Sequence, residues 1–122
     1  MKTKSMIKIV ECPRDAMQGI VPFIPTSTKI EYINKLLRVG FDTIDFGSFV
    51  SAKAIPQMSD TAQVLEGLDL SESTSRLLAI VANERGAVEA SRHKPVTYMG
   101  FPLSISETFQ KRNTNKSISE AL

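Results

Sequence analysis

Residues 77–82 read Leu77-Leu78-Ala79-Ile80-Val81-Ala82, six apolar residues in a row. An unbroken run of this length suits a strand of a parallel sheet, which is covered on both faces. A half-exposed antiparallel strand would alternate instead. The flanking sequence agrees. Upstream, Ala62, Val64, Leu65 and Leu68 give one apolar helical face, and Asp60 with Gln63 has capping-box spacing. Downstream, residues 83–92 predict a short helix and residues 96–99 a further strand extending toward Leu103. Further out, residues 43–49 predict a strand. The segment Thr26-Ser27-Thr28 offers helix caps, with Thr28 and Glu31 again at capping-box spacing. In that helix Ile30, Ile33, Leu36 and Leu37 form the apolar face. Lys29, Glu31, Asn34, Lys35 and Arg38 form the polar one, and Gly40 provides the C-terminal stop. Residues 7–10 predict the first strand, closed by Glu11-Cys12-Pro13, and residues 14–25 a loop. After the fourth strand comes a polar loop, and then Ser117-Ile118-Ser119-Glu120 sets a third cap. The order is βαβαβαβ plus the start of a fourth helix, a parallel α/β pattern. A cap with so little chain behind it leads us to expect part of a larger fold.

Composition excludes several classes. Fifteen basic against thirteen acidic residues leave a net charge of +2, and the basic residues are not interleaved with aromatics, so no nucleic-acid partner is expected. No apolar stretch approaches the roughly 18–20 residues of a membrane span. The one cysteine permits no internal disulfide and fits a reducing compartment. Lys2 and Lys4 are not followed by the apolar region of a signal peptide, so a cytoplasmic protein is expected.

Polar residues gather where strands end: Arg14 and Asp15 after the first, Asp45 and Ser48 in or after the second, Asn83 after the third, and Ser104, Ser106 and Glu107 after the fourth. Parallel α/β folds build their sites there. A carboxylate suits a hard cation, and a guanidinium suits a developing oxyanion. An adjacent Arg-Asp is by itself more often a surface charge pair. Asp45 carries more weight, because a carboxylate inside an apolar strand needs a partner, which Arg14 or a metal-bound water supplies only if the fold places them together.

Three blocks then resemble a known family. Arg14-Asp15-Ala16-Met17-Gln18 resembles the R-D-x-x-Q signature of metal-dependent aldol and Claisen-type barrel enzymes. Ser48-Phe49-Val50-Ser51-Ala52-Lys53-Ala54-Ile55-Pro56-Gln57-Met58 is similar to the S-F-V-S-P-K-x-x-P-Q-M stretch of hydroxymethylglutaryl-CoA lyases. Residues 106–115 resemble their S-E-x-F-x-x-x-N-x-N loop. The blocks keep the family's order. The resemblance implies the N-terminal half of a (β/α)₈ TIM barrel, with residues 1–122 as one partial domain, since a whole barrel takes roughly 250 residues. It implies retro-Claisen cleavage of 3-hydroxy-3-methylglutaryl-CoA to acetyl-CoA and acetoacetate, the chemistry of leucine degradation and ketone-body formation. The cofactor would be a divalent cation, Mg²⁺ or Mn²⁺, and the partner an acyl-CoA substrate, with a homo-oligomer allowed. Asp15 would ligate the metal and Arg14 would contact the thioester carbonyl and stabilise the enolate. Gln18 and Asp45 would support the metal site, Asp45 standing where the lyases have Glu and reaching the metal through water. Ser48 and Asn113 would line the substrate pocket.

The departures bear on activity. Cys12 and Ala16 replace glycines, and Ala52 replaces a proline. The family's H-x-H metal motif, Asn ligand and glycine-rich loop with its reactive Cys have no counterpart, so the chain alone is expected to be inactive. His93, the single histidine, is expected at the surface, and Cys12 is expected to be a small buried apolar residue. The alternatives are a condensing synthase or carboxyltransferase of the same superfamily, or a non-catalytic half-barrel.

Overall fold

The structure is a computed structural model that describes residues 6–122, apart from the side chains of Asn113 and Thr114. Four strands, β1 (Val10–Glu11), β2 (Thr43–Ser48), β3 (Arg76–Ile80) and β4 (Val96–Gly100), form one parallel sheet in the order β1-β2-β3-β4. Helices α1 (Pro13–Gln18) and α2 (Thr26–Leu37) connect β1 to β2. A 3₁₀ turn (Pro56–Met58) and α3 (Thr61–Gly67) connect β2 to β3, and α4 (Glu84–Ser91) connects β3 to β4. Helices α5 (Glu107–Thr114) and α6 (Ile118–Ala121) follow. Strands in sequence order with helical crossovers are the arrangement of the N-terminal half of a TIM barrel, as the sequence predicts.

The core lies between the sheet and its helices. Ile44, Phe46, Leu77 and Ala79 from the strands meet Ile33 and Leu37 of α2, Val64 and Leu65 of α3 and Ala90 of α4. β2 is buried along its whole length, and β3 is closed at alternate positions. β2 pairs with β3 through an irregularity. Asp45 lies opposite Leu78 and Gly47 opposite Ala79, so Phe46 is the extra residue, and Ser48 comes opposite Ile80. A Cβ at Gly47 would fall 2.7 Å from Thr61 Cγ2, so the missing side chain is what lets α3 lie this close to the strand.

Several local expectations are corrected. The first strand is only two residues and begins at Val10, not Ile7. Of the expected strand 7–10, Ile9 contributes a carbonyl that accepts from the Asp42 N–H. Residues 14–25 are not all loop, because Pro13 occupies the first turn of α1, where its missing N–H costs nothing. The polar segment after β4 contains α5, capped by the Ser106 side chain, which accepts from the Phe109 N–H. Of the three capping boxes only the last is made, between Ser117 and Glu120. α2 starts earlier than expected, after Pro25, without a side-chain cap. Asp60 precedes α3 but spends its carboxylate elsewhere. Lys29, assigned to the polar face of α2, is buried. Gly40 does sit in the left-handed region expected of it, at φ +96°.

Among the described residues, both outer strands have one unpaired side, and apolar side chains stand exposed there: Ile9 and Val10 at one end, Tyr98, Met99 and Phe101 at the other. Open apolar edges recruit further strands. The purified 122-residue chain is expected to self-associate, with light scattering giving a mass above 13.5 kDa. A monodisperse monomer that unfolds cooperatively would refute this.

Candidate functional site

The site begins at Asp45, near the middle of the buried strand β2. Its side chain is 7% exposed and faces Arg14 of α1. Arg14 Nε donates to both carboxylate oxygens, at 2.9 and 3.0 Å, and Nη2 donates to Oδ2 at 2.9 Å. This fork geometry makes the strong form of an arginine–carboxylate pair. One turn further along α1, the Gln18 Oε1 accepts from Arg14 Nη1 at 2.8 Å. Burial works against the guanidinium charge, but the Asp45 carboxylate outweighs it and holds Arg14 protonated more firmly than an ordinary arginine. Three of the five guanidinium N–H groups are thereby engaged. Among the described residues, one N–H on each terminal nitrogen is left for a further acceptor.

The predicted residues divide into groups. Arg14, Gln18 and Asp45 come together. Asp45 does so by holding Arg14 directly, with both oxygens occupied by that one side chain. Asp15 follows Arg14 on the same short helix, exposed, with no hydrogen bond or ion pair recorded among the described residues. Ser48 lies at the end of β2, 2% exposed, and its Oγ has no hydrogen-bond partner among the described residues. With Asn83 it also lines a cavity of about 440 Å³ between α3 and α4. Asn113 is on α5, but its side chain lies outside the described residues.

Two expectations away from this cluster are corrected. His93 is half-buried and stacks on Phe49, with ring centroids 5.1 Å apart and planes within 15°. Cys12 is exposed at the start of α1, not buried. Residual burial nevertheless pushes its thiol pKa up, and the Asp45 carboxylate adds to that effect.

Sequence reasoning missed the buried group behind this site: Lys29, Gln57 and Asp60. Gln57 belongs to the recognisable P-Q-M stretch, but nothing in the spacing of Lys29 distinguishes it from an ordinary solvent-facing lysine.

A divalent cation would need a set of donors. Asp15 offers one uncommitted carboxylate, while Asp45 is occupied by Arg14. No group of three or more His, Cys, Asp or Glu side chains able to hold a metal exists among the described residues. The residues present fit one ligand of such a site and not a whole one.

The fold and this cluster at the strand ends define a class, the parallel α/β barrels, of which four consecutive strands are present. Within it, the chain matches the N-terminal part of hydroxymethylglutaryl-CoA lyases. No family model matches. The chain is 38% identical over 117 residues to the cytoplasmic 3-hydroxy-3-methylglutaryl-CoA lyase of Rattus norvegicus, across 95% of this chain and 34% of that protein. It is 38% identical over 113 residues to a hydroxymethylglutaryl-CoA lyase of Bacillus subtilis, across 90% of this chain and 36% of the relative. The crystal structure of the Bacillus subtilis HMG-CoA lyase superposes with a TM-score of 0.87 at 36% identity, over 99% of this chain and 40% of that one. An HMG-CoA lyase from Acinetobacter baumannii in complex with coenzyme A and 3-methylmalate superposes with a TM-score of 0.88 at 31% identity, over 95% and 38%. The chain therefore spans about a third of the length of the curated relatives it matches.

Two outcomes follow from the geometry. Asp45→Ala strands the Arg14 guanidinium in a part-buried position, and urea unfolding should show a loss of about 1–3 kcal/mol; an unchanged midpoint would show that the pair contributes nothing to stability. Because the Cys12 thiol pKa is raised, less thiolate is present between about pH 7 and 9 than in a free thiol. Iodoacetamide should therefore modify Cys12 more slowly than glutathione over that range. Equal or faster modification would contradict the raised pKa.

Proposed function

We propose that this chain supplies the first four strands and the Arg14–Asp45 element of a hydroxymethylglutaryl-CoA lyase, a carbon–carbon lyase acting on an acyl-CoA. The observation that carries the proposal is the bidentate pair itself, which ties the helix leaving the C-terminal end of β1 to the middle of β2. It comes in a chain whose relatives are named for that activity over 95% of its length.

In the retro-Claisen reaction the C3 hydroxyl of 3-hydroxy-3-methylglutaryl-CoA loses its proton and the C2–C3 bond breaks. Acetoacetate departs, and the bond's electron pair passes into the thioester as an enolate, which takes a proton at C2 to give acetyl-CoA. Negative charge thus accumulates on the thioester oxygen. Arg14 is suited to meet it, since its two remaining N–H groups sit on a guanidinium already fixed in place, so little reorganisation accompanies the charge. Asp45 and Gln18 set its direction, and Asp45 keeps it charged. Asp15 would contribute one ligand to a Mg²⁺ or Mn²⁺ ion, whose chemistry when bound is to polarise the hydroxyl and carbonyl oxygens. Ser48, whose buried hydroxyl has no partner among the described residues, is suited to a polar group of the substrate. Coenzyme A bound in the Acinetobacter baumannii neighbour supports an acyl-CoA partner. A cytoplasmic setting rests on the single cysteine. The relatives carry both cytoplasmic and mitochondrial names, and no described helix is long and apolar enough to cross a membrane.

The test is a chimera in which this chain replaces the matching N-terminal part of the Bacillus subtilis lyase. It should release acetoacetate from hydroxymethylglutaryl-CoA with Mn²⁺, and Arg14→Gln should lower kcat by about 10²–10³ while leaving the metal bound. Asp15→Ala should instead weaken metal binding. The 122-residue chain by itself should show no turnover. A near-normal kcat for the Arg14→Gln chimera would refute the role given to Arg14.

A further inference from the structure

Two connections leaving the C-terminal ends of neighbouring strands, residues 19–25 after α1 and residues 56–60 after β2, are joined by a buried polar network. Its hub is Gln57, 4% exposed. The Gln57 Oε1 accepts from the Ile24 N–H at 2.8 Å, and Nε2 donates to the carbonyls of Ile20 at 2.6 Å and Pro22 at 3.2 Å. Both donors of the amide are used, so the side chain can sit in one orientation only. Lys29, 2% exposed, donates to the Gln57 backbone carbonyl and to Asp60 Oδ1 at 2.8 Å, while Thr26 Oγ1 donates to Asp60 Oδ2 at 2.7 Å. Phe23 closes the assembly with its ring centroid 4.0 Å from Lys29 Nζ.

What this network holds directly is the segment that follows α1. That helix has six residues, far too few to be stable alone, and its N-cap Cys12 makes no side-chain cap hydrogen bond. It packs on β2 and on the 3₁₀ turn, with Met17 of the helix and Met58 of the turn both in the core. Its C-terminal end runs directly into the three backbone groups held by Gln57. Arg14, Asp15 and Gln18 all ride on it.

We propose that Gln57, backed by the Lys29–Asp60 ion pair, is a positioning residue for Arg14: it fixes the segment after α1 and so sets where the guanidinium stands. This deepens the proposed function and rests on it for the meaning of Arg14, but the positioning itself can be tested without substrate or metal.

The test is hydrogen exchange followed by mass spectrometry on the full chain, with the pH dependence of Cys12 alkylation as a second readout. Gln57→Glu keeps the shape and the acceptor for Ile24, but sets a carboxylate against the Ile20 and Pro22 carbonyls. Amides 16–20 should lose protection by about ten-fold or more while those of β2 and β3 keep theirs. The midpoint of the Cys12 pH–rate profile should also move, because Cys12, Arg14 and Asp45 no longer share one fixed geometry. The double variant Lys29→Met with Asp60→Leu leaves no buried charge behind and should give the same pattern. It decides the matter if Gln57→Glu loses strand protection as well. Amides 16–20 and a Cys12 profile indistinguishable from the unsubstituted chain, with only a lower thermal midpoint, would overturn the proposal. The network would then be a support for the loop alone. A chimera that lacks lyase activity while showing the expected exchange pattern would sink the functional reading and leave the positioning intact.

Discussion

A carboxylate near the middle of a fully buried strand has few ways to exist, and the bidentate bond from Arg14 to Asp45 is the one found here. Without Arg14, the strand that joins β1 to β3 would carry an uncompensated charge at its centre. Without Asp45, the guanidinium would keep only its bond to Gln18 on the same helix of six residues. The pair therefore links sheet to helix and also sets the chemical character of the strand ends. It holds a permanent positive charge whose direction is fixed and whose two unused donors point beyond the pair.

The second buried pair, Lys29 with Asp60, has a different relation to its surroundings. Lys29 meets a backbone carbonyl, a carboxylate and an aromatic face, which together satisfy an ammonium group. Replacing such a pair with apolar groups can be close to neutral for stability, whereas removing one partner strands the other. Its presence is therefore explained better by the geometry it imposes on two adjacent connections than by any net gain in folding energy.

The large-scale architecture was legible in the sequence because burial of a parallel sheet leaves a coarse mark. The run at residues 77–82 and the amphipathic segments on either side required strand and helix to alternate, and the structure has them in that order. Short elements were not legible. Helix α1 has too few residues to show a period, and β1 was read from the run at residues 7–10, though not with its two-residue extent. Periodicity also misplaced Lys29, because it sorts residues by type and cannot foresee that a lysine at the edge of the apolar face will find Asp60 and Gln57. The same limit affected the cap at Asp60, whose carboxylate had a stronger use. In the site, Arg14 could be named as one of two candidate partners for Asp45, but the choice between it and a metal-bound water is made by the fold, which brings them together across 31 positions. Asn113 stays a sequence-based assignment.

The irregularity in β2 has a consequence for how this site can vary. In a regular strand, residues three apart project to opposite sides of the sheet. Asp45 and Ser48 are three apart, yet they align with Leu78 and Ile80, which are two apart on β3 and share a side. The extra residue at Phe46 reverses the parity of everything after it, so that a carboxylate and a hydroxyl meant for the same side can be separated by an odd number of positions. Point substitutions leave that arithmetic intact. Deleting the extra residue would leave the two groups two positions apart in a regular strand and still on one side, whereas straightening the strand with every residue kept would turn one of them to the opposite face.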